Sequence, residues 1–409
     1  MRKLVALLLL LAFSLAPGGC SAVSPETAEP AAYVSGQAAE PGLLIPEKGT
    51  GRLIENEEAR RLNAAQKRLL TDYMNACYES LAALELCDLT PLFAGTCREN
   101  AAVSNLLLSY QIAVRKMQNE DLSLSAYRYT LTCTEIEEDE EGRIRIMAME
   151  DSTQNFTAWP GVDAQRFDAW HAFVLTEEEG RWCIADHQDS FAYVMDESNP
   201  LPETLSEAAL NAYEEALLAE ARHFTAQKTQ TVTRAEDALT AAHAYDRTAA
   251  VAYAERYYAG RNPAWPDYSA AGGNCQNFVS QSLLAGGIPM DTQGEAVWHY
   301  SGPGLGASGR STSWAGVRSF YDYAAGNTGF GLAAAADEPF FSGAPGDVIL
   351  MGPGSELRHA VIIVGLLQNT QGQTVDYLIN SNTANLRHFP AAAYPYPHQI
   401  LIHILGWNE

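Results

Sequence analysis

A cysteine stands between two glycines and an apolar segment in "GGNCQNFVSQ", residues 272–281. The apolar residues after Cys275 recur at three- and four-residue steps, which predicts a helix that begins near this cysteine. The backbone N–H groups and the dipole at a helix start favour a thiolate, which is the nucleophilic form of cysteine. A small core cysteine is the alternative, and the polar neighbours Asn274 and Gln276 argue against it.

A nucleophilic cysteine needs a base, and the base needs a group that orients it. The segment "HAVIIVGLL" (359–367) is a predicted strand that opens with His359. The next predicted strand, "VDYLINSN" (375–382), places Asn380 and Asn382 on one face. Either amide could fix the tautomer of the imidazole. We favour Asn380, because it lies deeper in the strand, whereas Asn382 leads into a turn.

Residues 244–409 resemble the bacterial putative-amidase family, an NlpC-like branch of the papain-like cysteine hydrolases. The resemblance is carried by five blocks: "YDRTAAVAYAERYYAGRNPAW", "GGNCQNFVSQSLLAGGIPM", "WAGVRSFYDY", "PGDVILM" and "HAVIIVG". It implies an α+β domain in which a helix that bears the cysteine packs on an antiparallel sheet.

The resemblance also implies Cys275 as the nucleophile and His359 as the base, in the Cys, His, Asn order of papain-like enzymes. Two positions depart from the family pattern. The family usually has Asp where this chain has Asn274, and it often has a His-Thr pair where this chain reads "NSNTAN". The resemblance therefore does not choose between Asn380 and Asn382.

Residues 51–198 are predicted to form a smaller α+β domain. A helical pattern over 55–86 precedes several alternating, strand-like segments, and one predicted hairpin turns at Glu179-Gly180. A helix followed by a curved antiparallel sheet weakly resembles the cystatin-like or nuclear-transport-factor-like domains. An Ala/Glu-rich helix within 199–243 is expected to connect this domain to the second one.

The N-terminus is typical of a bacterial lipoprotein. A basic start and an apolar stretch precede Cys20, so residues 1–19 are predicted to be a signal peptide. Cys20 would then carry the lipid, and residues 20–50 would form a disordered tether. We therefore expect an exported protein on the outer side of the cell membrane, held there by its lipid anchor. Ordinary cleavage nearby is the alternative.

Composition limits the possible partners and cofactors. The 409 residues carry a formal net charge of −24, which disfavours a nucleic-acid partner because phosphates are also negative. The chain has seven cysteines; if Cys20 is lipidated and Cys275 is free, five remain, an odd number that argues against a complete disulfide framework. One or two disulfides remain possible. Without a CxxC pair or other ligand spacing, we expect no metal and no cofactor.

The resemblance, together with the lipoprotein-like N-terminus, implies an exported cysteine amidase or peptidase that hydrolyses an amide bond in a cell-wall peptide. The backbone N–H groups of Cys275 and Gln276 would stabilise the oxyanion. One alternative is a degenerate binding module of the same fold that recognises a wall peptide or a protein partner. Another is acyl transfer on the same residues, such as transpeptidation or transglutamination.

The anchor can be tested by the Cys20→Ala variant expressed in a bacterial host. Removing the lipidated cysteine removes acyl chains whose burial contributes about 0.8 kcal/mol per CH₂ to membrane association. We expect the variant to move from the membrane fraction to the soluble fraction, as measured by immunoblotting. Equal membrane association of both proteins would contradict the prediction.

Overall fold

The computed structural model describes residues 48–228, 240–304 and 309–409. The predicted signal peptide, Cys20 and nearly all of the predicted tether lie outside these residues. The first strand begins at Gly49, so the last two residues of the predicted tether already belong to a strand. None of the helices described is long and apolar enough to cross a bilayer.

Helices and strands alternate in blocks along the described chain. The helices are α1 (Ala64–Ala83), α2 (Arg98–Lys116), α3 (Ser190–Ser198), α4 (Glu207–Lys228), α5 (Arg247–Tyr257), α6 (Cys275–Ala285), α7 (Thr312–Ala315) and α8 (Val317–Gly326). The strands are β1 (Gly49–Leu53), β2 (Leu124–Glu138), β3 (Ile144–Phe156), β4 (Ala164–Glu178), β5 (Arg181–Asp189), β6 (Gly331–Glu338), β7 (Val348–Gly352), β8 (His359–Gln368), β9 (Thr374–Ser381), β10 (Asn385–Pro390) and β11 (His398–Asn408).

One sheet of eleven strands runs through the described chain. Its order is β1-β2-β3-β4-β10-β9-β8-β7-β11-β6, and β5 pairs with β4. β1 and β2 are parallel, and the other pairs of these strands are antiparallel. The pairing of β4 with β10 joins the two predicted domains into one sheet. The mixed architecture confirms the α+β class; the domain boundaries stay predictions.

Local signals explain several of the elements upstream. The helix expected over 55–86 begins only at Ala64, because Asn63 and Gln66 form a reciprocal capping box there. The predicted hairpin turn is present, and both Glu179 (φ +54°) and Gly180 (φ +79°) have the left-handed backbone that a tight two-residue turn requires. The sequence pattern did not predict α2 and α3. The buried residues of α2 largely alternate in sequence, which hides the helical period.

The two faces of β8 pack into different cores. Val361 and Ile363 belong to a cluster that includes the upstream helices and strands, and Ala360 and Ile362 belong to a cluster with α6. His359 has the same parity as Val361 and Ile363, so its side chain lies on the same face of β8. The upstream segment therefore covers the face of the downstream sheet that bears His359.

A buried carboxylate ties the downstream elements together. Asp347 is fully buried, and its oxygens accept hydrogen bonds from the backbone N–H groups of Ile404 and Ala344, both at 2.9 Å. Arg247 Nη1 and His403 Nδ1 each lie 2.7 Å from the same carboxylate. These contacts connect α5, the start of β7 and β11.

Replacing this carboxylate should be costly to stability. Asp347→Ala leaves two backbone N–H groups without their acceptor and removes the carboxylate that pairs with Arg247, so we expect a loss of about 3–5 kcal/mol in the free energy of unfolding. Urea denaturation measures it. Asp322→Ala, which removes an exposed pair with Arg318, is the control and should change stability by less than about 1 kcal/mol. Equal effects of the two variants would contradict this account.

Candidate active site

Cys275 is the first residue of α6, as the sequence predicted. The backbone reaches it through Gly272 (φ +103°) and Gly273 (φ +129°), conformations that residues with a side chain rarely adopt. The side chain of Cys275 is buried. The two glycines thus allow the sharp entry into the helix that places the thiol at its N-terminus.

Polar contacts fix α6 on both sides. The indole N–H of Trp298 donates to Ser280 Oγ at 3.0 Å, and that of Trp314 donates to Asn277 Oδ1 at 2.8 Å. Both tryptophans are fully buried. They therefore serve as packing residues that position the helix, rather than as a wall of the cavity described below.

The residue before the cysteine is held by the turn after β9. The backbone N–H of Asn274 donates to Thr383 Oγ1 at 2.7 Å, and its side-chain Nδ2 donates to Asn382 Oδ1 at 2.5 Å. Asn274 Oδ1 in turn accepts from Asn277 Nδ2 at 2.8 Å. The departure from the family pattern at Asn274 is thus matched by an amide partner at Asn382.

The charge state of the thiol differs from the expectation. Burial raises the pKa of Cys275, and the backbone N–H groups of Ala360, Gln276 and Cys275 itself offset this only in part. The helix start therefore does contribute, but desolvation of the anion is the larger effect. A raised pKa disfavours the thiolate that the helix start alone would favour in the protein without substrate.

His359 is the first residue of β8 and is also buried. Its ring stacks on that of Tyr394, with centroids 5.2 Å apart and planes 15° apart. Burial lowers the pKa of His359 to about 4, so the imidazole is neutral at neutral pH. Its Nε2 is buried and has no hydrogen-bond partner among the described residues. A free ring nitrogen of this kind can exchange a proton with a thiol or with a bound molecule.

Cys275 and His359 line one cavity of about 420 Å³. The backbone N–H of Ala360, next to His359 in sequence, acts on the thiol of Cys275. No hydrogen bond joins the thiol to the imidazole in the part of the chain that the structure describes. Such bonds are often long before substrate binds. Glu150, Arg166 and other residues of the upstream segment also line this cavity.

Neither predicted orienting asparagine contacts His359. Asn380 lies opposite Ile362 in the β8–β9 ladder, and paired residues share a face of the sheet. His359 has the opposite parity in β8, so its side chain points to the other face. Asn380 Oδ1 accepts the backbone N–H of His388 at 2.8 Å, and Asn382 Nδ2 donates to the Tyr257 carbonyl at 2.7 Å.

The predicted roles of Asn380 and Asn382 in orienting the imidazole are therefore corrected. Stacking on Tyr394 is the contact that sets the plane of the His359 ring. Asn382 acts instead on the loop that carries the cysteine, through its bond to Asn274. The correct assignment required the pairing register of β8 and β9, which alternation within one strand does not provide.

Two other groups of residues bear on the predictions: the remaining cysteines and a cluster of polar side chains on the cavity wall. All six cysteines within the described ranges are free, so none of the possible disulfides is formed there. A hydrogen-bonded set on the cavity wall, which the sequence did not predict, includes Glu150, His171 and His187. Burial would raise the pKa of Glu150, but the Arg166 guanidinium and His171 hold it well below its usual range. The hairpin predicted at Glu179-Gly180 pairs the strands that carry His171 and His187, so their proximity could have been inferred from it.

The comparisons agree with the downstream assignment. Residues 244–405 match the family model of a putative amidase domain. An uncharacterized protein of Bacillus subtilis (strain 168), YhbB, is 35% identical over 150 residues, which are 34% of this chain and 45% of that protein. The match thus spans less than half of that relative. No solved structure matches the chain. The family match supports an amidase-type domain in the downstream part of the chain.

The neutral thiol has a measurable consequence. Thiolate is the reactive form, so a raised pKa shifts the alkylation rate of Cys275 towards higher pH. We expect the half-maximal rate with iodoacetamide above pH of about 8.5, the value of an ordinary thiol. Peptide mapping by mass spectrometry isolates this cysteine, and a short cysteine peptide is the reference. A midpoint below that of the peptide would show that the helix start outweighs burial.

Proposed function

We propose that this chain is a cysteine-dependent amidase, with Cys275 as nucleophile and His359 as base, on a papain-like arrangement of helix and sheet. The observation that carries the proposal is the shared cavity: a thiol at a helix start and a buried imidazole with an unpartnered nitrogen line it together. Both residues lie within the part of the chain that matches the amidase family.

The charge states favour attack by a thiol that loses its proton as it reacts. The thiol of Cys275 gives its proton to the neutral imidazole of His359 while sulfur bonds to the substrate carbonyl carbon. The imidazolium then protonates the amine as the C–N bond breaks, which leaves a thioester on Cys275. Water attacks the thioester and His359 accepts its proton; His359 then returns that proton to sulfur as the C–S bond breaks, which restores the thiol and releases the acid.

Backbone N–H groups near the thiol are suited to the oxyanion of each tetrahedral intermediate. Those of Cys275 and Gln276 lie at the start of α6, as the sequence predicted, and that of Ala360 approaches from β8. Fixed donors of this kind are typically worth about 3 kcal/mol each, because they do not reorganise during the reaction. A shift in the pairing register of β8 would displace the Ala360 N–H and therefore impair the site, even with Cys275 unchanged.

The upstream segment would select the substrate. Its Arg166 and Trp170 line the cavity together with Arg358 and Tyr396 of the downstream segment. A volume of about 420 Å³ accommodates part of a short peptide. The cavity volume and the lipoprotein-like N-terminus support a cell-wall peptide as the substrate. The N-terminus also supports a location on the outer side of the membrane, where a lipid on Cys20 would anchor the protein.

A binding module of the same fold is the second candidate. The raised pKa of Cys275 and the lack of a hydrogen bond from its thiol to His359 among the described residues favour it. In that case the cavity would hold a wall peptide without cleaving it. The two candidates differ in whether new amine and carboxyl termini appear.

The proposal predicts release of fragments from purified peptidoglycan. We expect the unaltered chain to release peptides with new termini, detected by mass spectrometry, and Cys275→Ala to reduce their release to background because the nucleophile is gone. The control is Cys133→Ala, which removes a buried cysteine of β2 that does not line the cavity.

Two results would contradict the proposal in different ways. Binding of peptidoglycan by both the unaltered chain and Cys275→Ala, without any cleavage, would favour the binding module. Cleavage that survives in Cys275→Ala would remove this cysteine from the chemistry.

A further inference from the structure

Three potential metal ligands meet on the upstream wall of the cavity. His171 of β4 lies directly opposite Asp189 of β5, and His187 lies two residues before Asp189. Residues paired in this way share a face of the sheet. One donor atom from each of the three side chains lies within 4.8 Å of the others. We propose that His171, His187 and Asp189 bind a divalent transition metal, with zinc as the best fit.

The spacing of the two imidazoles suits zinc. His171 Nδ1 and His187 Nε2 are 3.1 Å apart. Two nitrogens bound tetrahedrally at about 2.1 Å from zinc stand about 3.4 Å apart, so metal entry requires the rings to separate slightly and to turn until both lone pairs point at the metal. Two histidines and one carboxylate are a common ligand set for zinc, and also for other first-row metals.

The outer nitrogen of each histidine is already held in place. His171 Nε2 lies 3.0 Å from Glu150 Oε2, and the Tyr73 hydroxyl lies 2.7 Å from His187 Nδ1. Arg166 Nη2, at 2.6 Å, holds Glu150 as a carboxylate. A carboxylate only accepts, so His171 carries its proton on Nε2 and presents the Nδ1 lone pair to the cluster. Outer partners of this kind orient metal-binding histidines.

The proton on His171 Nε2 fixes the direction of every other hydrogen bond from Tyr73 to Glu150. In the metal-free protein His187 donates its Nε2 proton to His171 Nδ1 and accepts from Tyr73 at Nδ1. Metal binding needs the other tautomer of His187, with the proton on Nδ1 and the Nε2 lone pair on the metal. The imidazole remains neutral, so binding requires no net loss of a proton from it.

Asp189 can contribute without losing its structural role. Its Oδ1 caps α3 by accepting the Ala192 N–H at 2.8 Å, and a carboxylate has a second oxygen that can bind a metal. All three ligands line the cavity. Three protein ligands leave a fourth position of a tetrahedral metal, and here it would face the cavity and hold water. This inference does not depend on the proposed amide hydrolysis.

Cobalt(II) provides a direct readout, because four-coordinate Co²⁺ absorbs visible light. The metal-free full chain is titrated with Co²⁺, and Zn²⁺ is then added to displace it. We expect one Co²⁺ per chain and loss of the absorption on adding Zn²⁺. His187→Gln should weaken Co²⁺ binding at least about 100-fold, and Tyr73→Phe, which removes an outer partner, about 10-fold. His223→Gln, on the exposed part of α4, is the control and should bind as the unaltered chain does.

Two further measurements distinguish a loss of metal binding from a loss of folding. Asp189→Asn keeps a good helix cap but removes the charged ligand, so it should retain the circular dichroism spectrum and bind Co²⁺ at least about 10-fold more weakly. Zinc should raise the Tm of the unaltered chain but not that of His187→Gln. Absence of stoichiometric Co²⁺ binding, or equal binding by folded His187→Gln, would overturn the proposal.

Discussion

The pairing of β4 with β10 is the contact on which the candidate site depends. It joins the upstream and downstream strands into one sheet, and Asn385 of β10 strengthens it by donating to Asp168 Oδ2 at 3.0 Å. Asn385 also accepts from Arg261 Nη1 at 3.0 Å, which ties the loop ahead of the cysteine to the same junction. Because the two segments meet here, residues of both line one cavity. The upstream segment is therefore part of the site rather than an appendage.

Burial in that cavity sets the charge states of the reacting groups. It raises the pKa of Cys275 and lowers the pKa of His359 to about 4, so both groups are neutral at neutral pH. Such a pair does not form the resting ion pair that the helix start alone would favour. The cavity instead holds a protonated sulfur and an imidazole nitrogen without a hydrogen-bond partner among the described residues. Proton transfer from sulfur to the imidazole then accompanies attack on the carbonyl. A bound substrate that excludes or admits water would shift the pKa values of both groups.

The sequence was sufficient for the parts of the site that depend on local patterns. It predicted the helix that begins at Cys275, the strand that opens with His359 and the hairpin beside His171. It did not predict the partners of Asn380, because these depend on which residue of β8 lies opposite it, and that ladder contains register shifts. Nor could it predict the pKa of Cys275, because desolvation depends on segments distant in sequence that cover the thiol.

The central claim is that a substrate acyl group becomes bonded to Cys275. The most direct test mixes the unaltered chain with muropeptides, quenches the reaction in acid within the first turnover and measures the intact mass. The account predicts an added mass equal to the acyl part of the cleaved peptide, mapped to Cys275 after digestion. Cleavage of the muropeptides without any adduct at this residue, or with the adduct at another one, would contradict it.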